Sequence, residues 1–373
     1  MPRGTRQHRS SARAAALAGA LLLGSFFTAH AQSITAIPPG PGYAHSAATY
    51  VAPGGAVVGV SFNPGLYAPR PTRWASANAE GVLLGASPAG GSGEPIRCSD
   101  DGNVVVGRWN ADVNTTTPAV WDAGGAYAEL PGPGSQSEAN GVSADGAIVT
   151  GWSATGEGRW LLRWQDGAPT QRHGGGAGSG FVSGPCSADG TMAIGTAYLG
   201  GSAANLSRWT LAGGPDGSIR TLAPFPSTWT NIRRPTAMTP AGDAAVGVAY
   251  TGGTTYQSWI WRAGEGGEGR ITDMGLPEGA KSITALGISA DGSVVVGTAT
   301  VQSTRSSGGR QAKVWTPQAG WQGFSDWLTA RGVSFPGWTF NTLGCVSADG
   351  RTFAGEGRTP DGKTRGFVIT IGP

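Results

Sequence analysis

Five aspartates recur in one setting. Asp101, Asp145, Asp189, Asp291 and Asp349 each stand two residues after a serine and directly before a glycine. A carboxylate repeated in this way has two ordinary uses. One is to hold a hard cation such as calcium, but a calcium loop places acidic groups at alternating positions so that several oxygens converge. These loops lack that alternation. The other use is local, in a turn. Serine at the first position of a type I turn bonds to backbone two residues on, and glycine takes a positive φ without a Cβ clash. The fifth copy, Thr239-Pro240-Ala241-Gly242, drops the aspartate and puts proline where type I turns favour it. A residue lost while its turn persists serves the turn. The five aspartates are therefore assigned a structural role, with no metal and no cofactor expected.

Other reactive side chains are sparse. Beyond residue 31 the histidines are His45 and His173, and neither stands in a motif that supplies triad or metal partners. Cys98, Cys186 and Cys345 are 88 and 159 residues apart, too far for a local zinc knuckle. Each sits one or two residues before a repeat serine, so small buried side chains in separate units are expected rather than a disulfide framework. The glycine-rich "GEGGEGR" at 264–270 lies between strands, with no helix to present a phosphate. A carboxylate pair for glycoside hydrolysis would come from different units and is invisible to spacing.

Aromatic and basic residues are what remain for binding. Trp109, Trp152, Tyr198 and Tyr250 come just after the second glycine of their copies, and Trp229, Arg233 and Arg234 lie in a long connection. Exposed rings stack on sugar or peptide, and guanidinium groups fork onto carboxylate or sulfate. The candidate binding set is Trp109, Tyr198, Trp229, Arg233, Arg234 and Tyr250, with capping of strand ends as the competing role.

These residues hang on a repeat. Aligned copies read "CSDDGNVVVG" (98–107), "VSADGAIVTG" (142–151), "CSADGTMAIG" (186–195), "MTPAGDAAVG" (238–247), "ISADGSVVVG" (288–297) and "VSADGRTFAG" (346–355), with a worn copy "YVAPGGAVVG" at 50–59. The turn glycines, Gly54, Gly102, Gly146, Gly190, Gly242, Gly292 and Gly350, each precede a second glycine by five residues. Trp74, Trp121, Trp164, Trp209, Trp261 and Trp315 follow as a later landmark, with Phe367 in the last copy. Copies 44 to 58 residues apart match a propeller blade. The third copy divides into strands "EANGVS", "AIVTGWS", "WLLRW" and "APTQRH". Valine runs without alternation suit strands covered on both faces.

The expected fold is all-β: a seven-bladed β-propeller of four-stranded antiparallel blades over residues 32–373. The last copy ends at its third strand, and "SITAIPPGPG" (33–42) resembles the fourth-strand segments "YAELPGPG" and "ITDMGLPEG". Residues 33–37 are thus expected to pair with 366–371, covering an open edge. Connections alternate between the two ends of such a ring. The variable ones, including 61–73, 223–235 and 300–311, share the end opposite the Ser-x-Asp-Gly turns, which is where a ligand is expected.

Residues 1–31 read as a secretory signal peptide: Arg3, Arg6, Arg9 and Arg13, an apolar run Ala14–Phe27, then Ala29-His30-Ala31 before Gln32. Taking those four arginines from the 26 basic residues leaves 22 against 23 acidic, net −1, and no electrostatic case for nucleic acid. No membrane span is expected, since the apolar run near the tail, Phe367–Ile371, is far below about 20 residues. Glycine is 65 of 373 residues and tryptophan fourteen, which fits short strands on glycine turns rather than disorder. The mature chain is expected to be secreted, extracellular or periplasmic, and monomeric.

The repeats resemble the HAF family of extracellular repeats, on "GISADGSVVVG", "LSRWT" (206–210), "WIWRAG" (259–264) and "ITDMGLPEG" (271–279). The resemblance covers nearly all of the mature chain. It implies a secreted bacterial β-repeat protein and no catalytic activity, since none is established for the family. Two functions are carried forward. The first is a binding module for a glycan, peptide or partner protein on the variable-loop face. The second is a secreted hydrolase or lyase with a site in the central channel.

Overall fold

The computed structural model describes residues 33–372 apart from 66–68, 89, 113, 175–179, 199–203, 211–216, 230, 252–254, 265–268 and 302–308. The expected signal peptide lies outside the described residues. What is described is strand almost throughout, with one short helix, Phe324–Thr329.

Strands follow one another as antiparallel runs of four. The first run is His45–Val51, Val57–Phe62, Arg70–Trp74 and Gly81–Leu83. The next five open with Ser92–Cys98, Gln136–Val142, Gly180–Cys186, Asn231–Met238 and Ala280–Ile288. The second and third share one eight-stranded sheet through a single parallel bridge, Gln136 to Thr116. The last run has three consecutive strands, Thr339–Val346, Thr352–Arg358 and Thr364–Thr370. Its fourth neighbour is Ser33–Ile37, antiparallel to Thr364–Thr370 with Ser33 opposite Thr370 and Ile37 opposite Gly366.

The expected strands of the third copy appear as Gln136–Val142, Ile148–Thr155, Gly158–Gln165 and Ala168–Gly174. The first copy differs from the alignment. Its left-handed residue is Gly55 (φ +87°), whose N–H reaches Ala52 O as Gly102 reaches Ser99 O, while Gly54 donates instead to Asp100 O. This turn is one residue shorter than the others, so the ungapped alignment misplaced its glycine.

The core is divided among successive runs. Val58, Leu84, Trp109 and Trp121 join the first run to the second; Val106, Leu130, Val149 and Trp164 join the second to the third. Further clusters link each later pair of neighbours, and Ile37, Val51, Val57, Trp74, Ala354 and Val368 link the seventh run back to the first. The landmark tryptophans sit in these seams. Trp74, Trp121 and Trp164 are fully buried, and their indole N–H groups donate to Pro38 O, Gly85 O and Pro131 O in the connections before their runs. Burying each ring contributes on the order of 2–3 kcal/mol, and the indole donor is not left unpaired.

At Gly59, Gly107, Gly151, Gly297 and Gly355 the second glycine has one cause, while Gly195 and Gly247 first meet the rings of Phe181 and Trp259. Each first strand carries a register shift, as between Pro95 and Arg97 or between Leu343 and Cys345, and the bulged backbone presses on the neighbouring strand. A Cβ on Gly59, Gly107, Gly151 or Gly355 would lie 2.0–2.1 Å from the carbonyl oxygen of Ala47, Glu94, Glu138 or Thr342.

The Ser-x-Asp-Gly turns satisfy themselves. Ser289 Oγ donates to Asp291 Oδ1 at 2.6 Å and accepts the Val294 N–H at 3.0 Å, while Asp291 Oδ1 accepts the Ser293 N–H at 2.9 Å. In the fifth copy Thr239 takes the serine's place and its hydroxyl turns to Asp243, one residue beyond the glycine. The same device closes a hairpin elsewhere, at Thr359-Pro360-Asp361-Gly362, where Gly362 has φ +80°. These aspartates are turn residues.

Hydrogen bonds from the serines hold Asp101, Asp145, Asp189, Asp291 and Asp349 below the usual carboxylate value, Asp291 at about 2. A carboxylate with a lowered folded pKa contributes stability above its unfolded value of about 4, and loses it as pH falls through the folded one. Melting temperature is therefore expected to fall steadily between pH 4 and about 2. Replacing all five by asparagine should flatten that slope. An equal slope in both proteins would contradict the assignment.

Candidate functional site

One cavity of about 530 Å³ lies among the first strands of all seven runs, from Thr49–Val51 through Glu94–Cys98 to Gly344–Val346. At the turn end consecutive loops are tied by backbone bonds: Gly54 N–H to Asp100 O, Asp100 to Ala144, Ala144 to Ala188, Ala188 to Pro240, and Ala290 to Ala348. Pro240 has no N–H to pass on, so the series stops there.

Arg97 is the singular group in this cavity. It follows the bulge at Ile96, where the extra residue re-aims the strand. One Nη donates to Thr236 O in the fifth run, three runs away, and the guanidinium lies 5.7 Å from the centre of the Tyr50 ring. Its Nε has no partner. Aligned by position before the turn, Arg97 shares a column with Tyr50, Gly141, Pro185, Ala237, Gly287 and Cys345. A lone cation in a column of small and apolar residues was the signal that sequence reasoning passed over.

Glu94, which borders the cavity, belongs to an ion network. Arg108 bridges Glu94 of its own run (2.6 Å) and Glu138 of the next (2.5 Å). Glu138 is buried and also accepts from Asn140 Nδ2 at 3.0 Å and Trp152 Nε1 at 3.3 Å. At the turn end, burial and then Asp101 raise the Asp100 carboxyl. All three cysteines border the cavity and are free. Burial pushes Cys98 and Cys345 up to about 12 and Cys186 to about 11, so they stay thiols at neutral pH. Burial likewise raises the Tyr50 phenol.

The expected binding residues are dispersed. Trp109 ends its strand as a buried ring, 1% exposed, donating to Gly90 O at 2.6 Å. A Cβ on Gly93 would lie 2.7 Å from that ring, so glycine makes the slot that takes it inward. Trp229, 9% exposed, packs 6.0 Å from the Phe225 ring. Tyr250 is half-buried, its ring 4.0 Å from that of Tyr256 and tilted 43° to it, with the two hydroxyls in contact. Tyr198 and Tyr250 each end a second strand, Trp109 stands one residue before the end of another, and Arg233 and Arg234 lie on a first strand. The side chains of Tyr198, Arg233, Arg234 and His173 lie outside the described residues. Arg234 stands four residues before Met238, the place that Glu94 and Glu138 hold before Cys98 and Val142.

No family model matches the chain, and no curated protein matches it. Solved structures do. A prolyl endopeptidase is 12% identical with a TM-score of 0.56, over 87% of this chain and 47% of its own. This chain thus spans about half the length of that enzyme. The β-propeller domain of the trilobed protease from Pyrococcus furiosus, described as having an open velcro topology, is 11% identical with a TM-score of 0.50, over 84% of this chain and 89% of that one. Hydrazine synthase of Kuenenia stuttgartiensis is 12% identical with a TM-score of 0.52, over 90% and 97%. At such identities the likeness shows fold alone: an all-β chain of four-stranded antiparallel sheets with propeller neighbours. Among the described residues no helix is long and apolar enough to cross a membrane, which says nothing of a β-barrel.

Proposed function

We propose that this chain is an exported binding module of the HAF repeat type, a seven-bladed β-propeller whose strand Ser33–Ile37 closes the last blade. Seven runs of strands, core clusters that join each run to the next and the seventh to the first, and the pairing of Ser33–Ile37 with Thr364–Thr370 support the ring. Its ligand is a glycan, peptide or partner protein at the face opposite the Ser-x-Asp-Gly turns. Tyr198, Arg233, Arg234 and Tyr250 stand at that rim, while Trp109 and Trp229 pack beneath it.

The observation that carries binding over hydrolysis is the state of the cavity's carboxylates. Of the two carboxyls that border the cavity among the described residues, Glu94 is paired with Arg108, which leaves Asp100 without a second free acid for acid and base work. The alternative, a hydrolase or lyase in the central channel, rests on likeness of fold.

The test is a glycan and peptide array probed with wild type, Tyr250→Ala and Arg233→Ala proteins. A hit on wild type that weakens about tenfold or more in either variant is expected, the size of a lost charged or aromatic contact. A hit that survives both changes but disappears when the Asp-Gly turns are altered would place the ligand on the wrong face. Release of product from an array sugar or peptide would favour the enzyme.

A further inference from the structure

Arg97 brings a permanent charge into the hub, and its surroundings leave that charge unanswered. A guanidinium offers five N–H donors in a planar fork. One is used by Thr236 O, and the Tyr50 ring covers part of its face. Among the described residues no carboxylate lies within ion-pair distance of it. Glu94, the nearest acid along its own strand, is held by Arg108. Removing a cation from water without a counter-charge is costly, and Arg97 is partly buried beside Pro185, Ala237 and Val346.

A second unsatisfied group borders the same cavity. Asn140 is 3% exposed, and its Nδ2 donates to Glu138, which fixes the amide's orientation. Its Oδ1 is left without a partner. An unpaired buried acceptor costs on the order of 1–3 kcal/mol unless something donates to it. Arg97 belongs to the second run and Asn140 to the third, one position lower in the aligned column, so both border the cavity from the first strands of adjacent runs. The cavity, about 530 Å³, is in the range of small-ligand sites.

We propose that the hub binds a small organic carboxylate that also carries a hydroxyl or N–H donor. The carboxylate sits on the Nη end of Arg97, the donor reaches Asn140 Oδ1, and the apolar body lies against Tyr50 and the surrounding proline and alanine side chains. A carboxylate suits the fork because its two oxygens accept in parallel from the two Nη groups. The hydroxyl or N–H separates hydroxy acids, acylated amino acids and peptide C-termini from simple fatty acids. This inference is independent of the rim, and the two fail separately.

The experiment is titration calorimetry of the mature chain with lactate, mandelate and N-acetylphenylalanine, each beside its primary amide. At least one acid is expected to bind, with its amide about tenfold weaker or worse. Arg97→Gln should lose about tenfold or more, and Arg97→Lys, which keeps charge without the fork, should lose less. Glu278→Gln, at an exposed turn outside both the cavity lining and the candidate rim residues, should bind as wild type does, and Tyr250→Ala reports on the rim. Where Arg97→Gln fails to fold, the contrast of acid and amide on wild-type protein decides alone, read also as a rise in melting temperature. Three acids that do not bind, acid and amide binding equally, or full binding by Arg97→Gln would each overturn the proposal. Loss in Tyr250→Ala with retention in Arg97→Gln would move the ligand to the rim and overturn it too.

Discussion

A protein of residues 41–373 is expected to melt roughly 8 °C below one of residues 32–373. Three losses combine. The strand Ser33–Ile37 forms the outer ladder of the last sheet, so its absence bares the edge of Thr364–Thr370. Ile37 is fully buried between the seventh run and the first, and burial of such a side chain contributes about 2–3 kcal/mol. Pro38 O accepts the indole N–H of the buried Trp74, and Gly40 N–H donates to Ser61 Oγ, so the first run loosens as well. Together these cost on the order of 4 kcal/mol. A melt that stays where it was would show that the N-terminal strand is ornamental. Supplying a synthetic peptide of residues 33–42 to the truncated chain should restore part of the loss.

Gly107→Ala is expected to destabilise by about 3 kcal/mol through overpacking, although it adds only one methyl group. The added Cβ would fall 2.1 Å from the Glu94 carbonyl oxygen and 3.0 Å from Pro95 Cα, both backbone atoms that cannot swing aside. Gly355→Ala should behave alike, against Thr342 O at 2.0 Å. Gly156→Ala, with open space around it, is the control and should stay within about 0.5 kcal/mol. Denaturant melts of the three proteins measure this directly. Equal midpoints would mean that the second glycine at these positions is kept for some cause other than close backbone approach.

Strands and turns were legible in the sequence because their causes are local. A valine run flanked by glycines, or a Ser-x-Asp-Gly loop, carries its own reason, and the pairing of 33–37 with the last strand could be read from its likeness to other fourth strands. The hub could not be read in this way. The bulge that precedes Arg97 leaves no residue signature of its own; its trace is the glycine opposite, Gly107, on another strand. Arg97 meets Thr236 only because the chain curves through three runs between them. The aromatics after the second glycine misled for a related reason. Trp109 looked available because it ends a strand, yet Gly93 beneath it removes the side chain that would have kept the ring outside. In the first copy, two adjacent glycines hid which one turns.

The pairing of Ser33 with Thr370 also has a consequence for how the chain reaches its native state. These partners are more than three hundred residues apart in sequence, and joining ends at that separation costs on the order of 5 kcal/mol in loop-closure entropy. Hairpins within each run can form early, since their contacts are near in sequence. The first strand cannot: its template is synthesised more than three hundred residues after it, so it must wait, apolar and unpaired, until the runs between have assembled. Refolding should then show a slow final step that depends on residues 33–37, and a window before it in which two incomplete chains can lend each other that strand.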